Sequence, residues 1–200
     1  EYVVQVIKRN IIKKHRNSST QICNNLNILD VGCGGGLLCE PLSRLGGNVT
    51  GIDVSENAII TAKQHASKMG LKINYICTSL EELNLKKDFD LIIASEVIEH
   101  VLDRKYFLKM IRKISSNKTS FIFTTINKSI PSLLFGKFAA EYILNLIPKG
   151  THDWEKFVTP QKLYLEALEN GIYLNNFSGL TPNVFNKEFN SVSYTHLRAH

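Results

Sequence analysis

An α/β fold built on a mostly parallel sheet with helices on both faces is what this sequence predicts, and three observations predict it. Short apolar, β-rich runs recur at 26–31, 48–53, 72–77, 89–95 and 119–126, each about the length of one buried strand. Helical patterns separate most of them, and strands alternating with helices build βαβ units whose strands run parallel. The first run ends in "ILDVGCGGG", residues 28–36, where four glycines crowd into five positions directly after an apolar strand. A turn of that kind lets the backbone approach a ligand at the strand's end.

The helices have readable ends. Ser55 caps "SENAIITAKQHASKM", which Gly70 closes, and Asp103 caps "DRKYFLKMIRKI". Thr159-Pro160 opens "PQKLYLEALEN" ahead of Gly171. One segment breaks the alternation. From Ile130 to Ile147, Leu133, Leu134, Phe138, Tyr142, Ile143 and Leu146 recur at roughly helical spacing beside Lys137 and Lys149, which predicts an inserted amphipathic helix or helix pair.

The 200 residues suffice for one core, and no linker divides them, so residues 1–190 are expected to form a single domain. The chain opens without Met, and a segment ahead of Glu1 is expected. The last ten residues, "SVSYTHLRAH", continue no earlier pattern and read as a short final strand or a non-native tail. The net charge of +6 and pI near 9.1 come largely from Lys8, Arg9, Lys13, Lys14 and Arg16, a solvated helix face or an anionic-partner surface. Four cysteines without a CxxC pair argue against a disulfide framework or zinc site, and no apolar run is long enough to span a bilayer.

The glycine turn departs from the dinucleotide fingerprint. Its spacing is Asp30-x-Gly32-x-Gly34-x-Gly36, and Leu37 stands where a third dinucleotide glycine would fall. A carboxylate two residues ahead of the turn repels phosphate and attracts an ammonium or sulfonium. Asp53, seventeen residues after Gly36, ends the second strand, where an acid can hold both ribose hydroxyls. "LDVGCGGG" followed by "VTGIDVS" resembles the S-adenosylmethionine site of class I methyltransferases, whose fold is Rossmann-like. That resemblance implies that Asp30, Gly32 and Gly34 meet the methionine part of the cofactor and Asp53 its ribose. Ser79 and Leu80 would meet the adenine edge, and Ser95 would line the floor.

The fourth strand runs into "SEVIEHV". On a helix Glu96, Glu99 and His100 lie at i, i+3 and i+4 and share one face. Two carboxylates and an imidazole suit a hard divalent cation with open positions for substrate. The same residues also suit an ordinary helix start, with acids favoured by the dipole and the histidine packed at the cofactor edge.

A wider resemblance follows. "ASEVIEHV", "TTINK" and "AEYILNLIPKGTHDWEKFVTP" resemble the ubiquinone-biosynthesis O-methyltransferase family, over roughly Asn27 to Leu180. The resemblance implies methylation of the catechol hydroxyl of polyprenylated precursors, 2-polyprenyl-6-hydroxyphenol and 3-demethylubiquinol. It also implies Mg2+ at Glu96, Glu99 and His100, which would act on the substrate through that metal, and an arginine ahead of Glu1 on the cofactor carboxylate. His152 in "GTHDW" is either a base or a local hydrogen-bonded corner, and Asn127 and Lys128 stand where acceptors bind. The segment from Ile130 to Ile147 becomes a lid or a peripheral-membrane contact. The expected setting is the bacterial cytoplasm at the inner-membrane face, or the matrix side of the mitochondrial inner membrane, within a quinone-biosynthesis complex. Two alternatives stand: an O-methyltransferase for another small phenol, and a silent cofactor-binding scaffold subunit. Nucleic acid is not an expected partner, since "ASEVIEH" lacks an Asn/Asp-Pro-Pro-Tyr type of motif.

Overall fold

The computed structural model describes Ile7 and residues 22–85, 88–125, 158–183 and 188–193. The chain falls into two compact units, Glu1–Ile126 and Asn127–His200. The elements of the first unit are β1 (Asn27–Val31), α1 (Cys39–Arg44), β2 (Asn48–Asp53), α2 (Glu56–Lys68), β3 (Asn74–Cys77), β4 (Leu91–Ser95), α3 (Arg104–Lys113) and β5 (Ser120–Thr124). The five strands pair in parallel in the order β3-β2-β1-β4-β5. All five predicted strands are present, within two or three residues of their predicted bounds.

Burial explains the composition of the central strands. In β1 and β4 successive residues are buried, so both faces of the sheet are covered, and a period-two pattern is replaced by an apolar run. Ile28, Leu29, Leu91, Ile92 and Ile93 are fully enclosed. Each such side chain contributes about 1.5–3 kcal/mol by leaving water. On α2 the buried residues are Ile59, Ala62 and Ala66, one face at helical spacing, and on α3 they are Phe107, Leu108 and Ile111.

The predicted caps form. Ser55 Oγ accepts from the Ala58 amide at 3.3 Å and Asp103 Oδ1 from the Tyr106 amide at 3.0 Å. At the other end of α2, the Leu71 amide bonds the Ala66 carbonyl and the Gly70 amide the Ser67 carbonyl, with Gly70 at φ +66°. That is a Schellman closure, and α1 ends the same way at Gly46. Glu40 of α1 pairs with His65 of α2, tying the two helices together.

The topology places the site. From β1 the chain proceeds outward to β2 and β3, then returns to β4 on the other side of β1 and on to β5. The order therefore reverses between β1 and β4, and ligands of open parallel sheets bind in the crevice beyond the carboxyl ends of strands at such a point.

The second unit contains α4 (Pro160–Glu169), β6 (Ser178–Asn183) and β7 (Glu188–Ser193). Thr159 Oγ1 accepts from the Lys162 amide at 3.3 Å, Pro160 occupies the first turn, and Gly171 closes the helix at φ +72°. β6 and β7 form an antiparallel pair in which Gly179 stands opposite Val192 and Pro182 opposite Phe189. β7 runs to Ser193, so the first three residues of "SVSYTHLRAH" belong to a strand, one of the two readings open from sequence.

Candidate functional site

The loop after β1 is built by close approach. Gly32 has φ +70°, and a Cβ there would lie 2.5 Å from Val97 Cγ2, a separation no real pair of carbons holds. Only glycine allows the loop after β1 to lie against the loop after β4. Gly36, at φ +86°, leaves no room for a Cβ against the Tyr75 hydroxyl and Ala62. The added Cβ at Gly34 or Gly35 would meet nothing within 4 Å. The middle of the turn is thus open while its two ends are packed.

Asp30 and Asp53 flank this turn. Asp30 is 2% exposed and accepts from the Cys39 thiol at 3.2 Å. Burial pushes its carboxyl up to about 7, the Cys39 bond works the other way, and the charge of Asp53 adds to the rise. A buried carboxylate whose side-chain partner among the described residues is a neutral thiol attracts a cation, which fits the ammonium and sulfonium of S-adenosylmethionine. Asp53 Oδ2 accepts from the Gly34 amide and Oδ1 from the Ser55 amide, both at 2.8 Å. The carboxylate at the end of β2 therefore clamps the glycine turn on one side and the start of α2 on the other. Each oxygen keeps a second lone pair for a ribose hydroxyl.

The loop after β3 lies beside Asp53, since the Thr78 amide bonds the Asp53 carbonyl at 3.0 Å. Ser79 Oγ accepts from the Glu82 amide at 3.3 Å, and Leu80 is buried. These residues stand at the carboxyl edge of the sheet, where the adenine edge was expected.

The acidic segment departs from the predicted helix. Residues 96–100 form a turn, and the next helix, α3, starts only at Arg104. Glu96 takes φ +56°, outside the right-handed helical region, and its amide extends the β4–β5 ladder by bonding the Thr124 carbonyl at 3.0 Å. The His100 amide then closes on the Val97 carbonyl at 2.9 Å. Sharing of one helix face by Glu96, Glu99 and His100 is corrected accordingly.

Two of the three nevertheless meet. Thr124 Oγ1 donates to Glu96 Oε1 and Thr125 Oγ1 to Glu99 Oε2, each at 2.9 Å. Partial loss of water around the Glu96 carboxyl, which still reaches solvent, pushes it up to about 7; the Thr124 bond opposes this, and the charge of neighbouring Glu99 and a hydrogen bond with it raise it further. Glu99 is buried, while Glu96 and His100 are exposed. Among the described residues no group of three or more His, Cys, Asp or Glu side chains is arranged to hold a metal ion. Two paired carboxylates offer hard oxygen donors that fit a divalent cation such as Mg2+, but His100 does not join them.

Ser95 ends β4 opposite Thr124 and its hydroxyl lies 2.8 Å from Thr124 Oγ1. Because Thr124 spends its one proton on Glu96, Ser95 must be the donor in that bond. Toward a ligand, Ser95 offers lone pairs only. Sequence reasoning named Ser95, Glu96 and Glu99 but assigned no role to Thr124, Thr125, Cys39, Tyr75 or Val97. The double threonine at the end of a strand beside an acidic turn was the available signal. His152, Asn127, Lys128 and the segment from Ile130 to Ile147 lie outside the described residues.

A methyltransferase domain family matches residues 29–123, the span of the parallel sheet. The ubiquinone biosynthesis O-methyltransferase of Pelagibacter ubique is 43% identical over 187 residues, covering 93% of this chain and 78% of that protein. The chain belongs to the ubiquinone biosynthesis O-methyltransferase family. The family's member from Bradyrhizobium diazoefficiens is 41% identical over 174 residues, 86% of this chain and 69% of its own. Among solved structures, the magnesium protoporphyrin IX methyltransferase from Synechocystis, determined with bound S-adenosylhomocysteine, superposes with a TM-score of 0.67. The match covers 96% of this chain and 80% of that one at 19% identity, and so speaks to the fold. The protein is a Rossmann-like, S-adenosylmethionine-dependent O-methyltransferase.

Proposed function

We propose that this enzyme methylates the catechol hydroxyl of polyprenylated ubiquinone precursors, 2-polyprenyl-6-hydroxyphenol and 3-demethylubiquinol, with Mg2+ held by Glu96 and Glu99. The observation that carries the reading is the carboxylate pair beside the glycine loop, across the contact of Gly32 with Val97. The printed function of the relatives supplies the acceptor class.

The chemistry needs such a pair. A free phenol titrates near the ordinary tyrosine value of about 10, so its nucleophilic form is scarce at neutral pH. A divalent cation at the two carboxylates would lower that value and hold the oxygen. The phenolate oxygen forms the new bond to the methyl carbon while the bond to the sulfonium sulfur breaks, and the sulfur keeps that electron pair. Opposite charges cancel in the step, which a site poor in water favours. Asp30 and Asp53 hold the donor, and the Glu96–Glu99 turn orients the acceptor, so the two reactants are brought in line. His152 is the candidate base of this reading.

Peripheral attachment belongs to the same reading. A polyprenyl tail partitions into the bilayer, and an apolar, Lys-flanked segment from Ile130 to Ile147 would bring the enzyme to it, at the inner face of a bacterial inner membrane or the matrix side of a mitochondrial one. Association with other quinone-making enzymes there fits this setting.

The deciding assay is methyl transfer to a short-chain polyprenyl catechol, with Mg2+ and then with chelator. Turnover that chelator abolishes and Mg2+ restores is expected. No product on the polyprenyl catechol, with product on a simple phenol, overturns the acceptor; chelator-insensitive turnover overturns the metal. Liposome flotation should fall for a Phe138→Asp, Ile143→Asp variant, and equal flotation overturns the membrane contact.

A further inference from the structure

In-register pairing puts Ser95 opposite Thr124, and the hydroxyls run in one direction: Ser95 donates to Thr124, and Thr124 donates to Glu96 Oε1. The Glu96 amide points back at both the carbonyl and the hydroxyl oxygen of Thr124, at 3.0 and 3.2 Å. Backbone and side chain of Glu96 are therefore held by a single threonine, at a residue whose φ of +56° is costly for a side chain with a Cβ. The next residue, Thr125, places its hydroxyl on Glu99 Oε2. Neither threonine is fully buried, and neither belongs to the apolar core.

One oxygen of each carboxylate is thereby occupied by a hydroxyl. Among the described residues no hydroxyl bonds Glu96 Oε2 or Glu99 Oε1, and the two carboxyl groups lie within hydrogen-bond reach of each other, where a cation could replace the proton they share. We propose that Thr124 and Thr125 are positioning residues of the reaction, which select the carboxylate oxygens presented to the acceptor side by occupying the others. The inference rests on the reading that Glu96 and Glu99 hold the cation. Outer partners of ligating carboxylates commonly change metal affinity by roughly 10–100-fold when removed.

The test is Mn2+ binding to the full chain, read by electron paramagnetic resonance and competed with Mg2+, with S-adenosylhomocysteine affinity measured in parallel. Thr124→Val and Thr125→Val keep the side-chain shape and remove the donor, and Thr124→Ser and Thr125→Ser restore it. Mn2+ binding is expected to weaken by about tenfold or more in each valine variant. The serine variants should stay within roughly threefold of the parent, with S-adenosylhomocysteine affinity unchanged in the Thr125 variants. Parent-like Mn2+ binding by the valine variants, or serine variants as weak as the valine ones, overturns the positioning role while leaving the cation site intact. A parent protein that binds no Mn2+ overturns the cation reading and this inference together.

Discussion

The amide of Gly34 donates to Asp53 Oδ2 at 2.8 Å, so the glycine loop after β1 is fastened to the last residue of β2. The other oxygen of the same carboxylate receives the Ser55 amide, one residue before α2 begins. Asp53→Ala removes both acceptors at once. Hydrogen bonds to a charged group contribute about 1.5–3 kcal/mol each. S-adenosylhomocysteine affinity should fall by roughly 10–100-fold by calorimetry, with a lower Tm; an unchanged affinity would show that Asp53 has no part in the cofactor site.

On the reading that Asp30 meets the ammonium of the cofactor, binding is expected to depend on pH. Its folded-state value of about 7 lies above the ordinary 3.8, so the folded chain holds a proton there that the unfolded chain has lost. The stability contribution is therefore full at low pH and is lost as pH rises toward and through 7. Cofactor binding runs the opposite way, because the ammonium of the ligand favours the ionised carboxylate. Affinity for S-adenosylhomocysteine should rise with pH through about 7 and release a proton, read as a dependence of the binding enthalpy on buffer. Asp30→Asn should abolish that part of the pH dependence and weaken binding. Glu96 titrates in the same range, so the comparison of parent with variant carries the result.

Among the described residues the buried Tyr75 hydroxyl has no partner within hydrogen-bond geometry, its neighbour being the weakly bonding Cys39 thiol. An orphaned buried polar group costs about 1–3 kcal/mol, so Tyr75→Phe should raise the stability measured by denaturant unfolding by about 1 kcal/mol. Gly36→Ala should lower it by 2 kcal/mol or more on the order of magnitude of combined backbone strain and overpacking. The first atom the new Cβ would meet is the Tyr75 hydroxyl, so the alanine should cost less in the Tyr75→Phe background. Strict additivity of the two changes would refute this account of why residue 36 is glycine.

The caps of α2 and α3 are independent of the site. Ser55→Ala and Asp103→Ala each remove one acceptor from a first-turn amide and should each cost about 1 kcal/mol of stability. Asp103→Ala should leave cofactor affinity as it is, measured by calorimetry. Ser55→Ala keeps the backbone amide that Asp53 binds and should do the same.

Much of this architecture was legible because its causes are local. A run such as Leu91–Ser95 is apolar at successive positions only where both faces are covered, and Ser55, Asp103 and Thr159 signal helix starts within three residues of themselves. Asp30 ahead of the glycine turn points to a cationic ligand, and the structure buries it beside a neutral thiol. The helix expected over Glu96, Glu99 and His100 failed for a cause no local pattern contains. Glu96 is drawn into a positive φ by a carbonyl 28 residues downstream, on another strand.

By itself, then, the sequence determined the alternating strands and helices, the glycine loop with its two aspartates, and the methyl donor they imply, since each rests on residue type and short spacing. Tertiary structure alone decided which acidic groups stand together. The register that sets Ser95 opposite Thr124 brings two threonine hydroxyls to Glu96 and Glu99 and leaves His100 outside the pair. Strand register is a long-range property, fixed by how the buried faces of β4 and β5 pack rather than by any residue in the turn they serve.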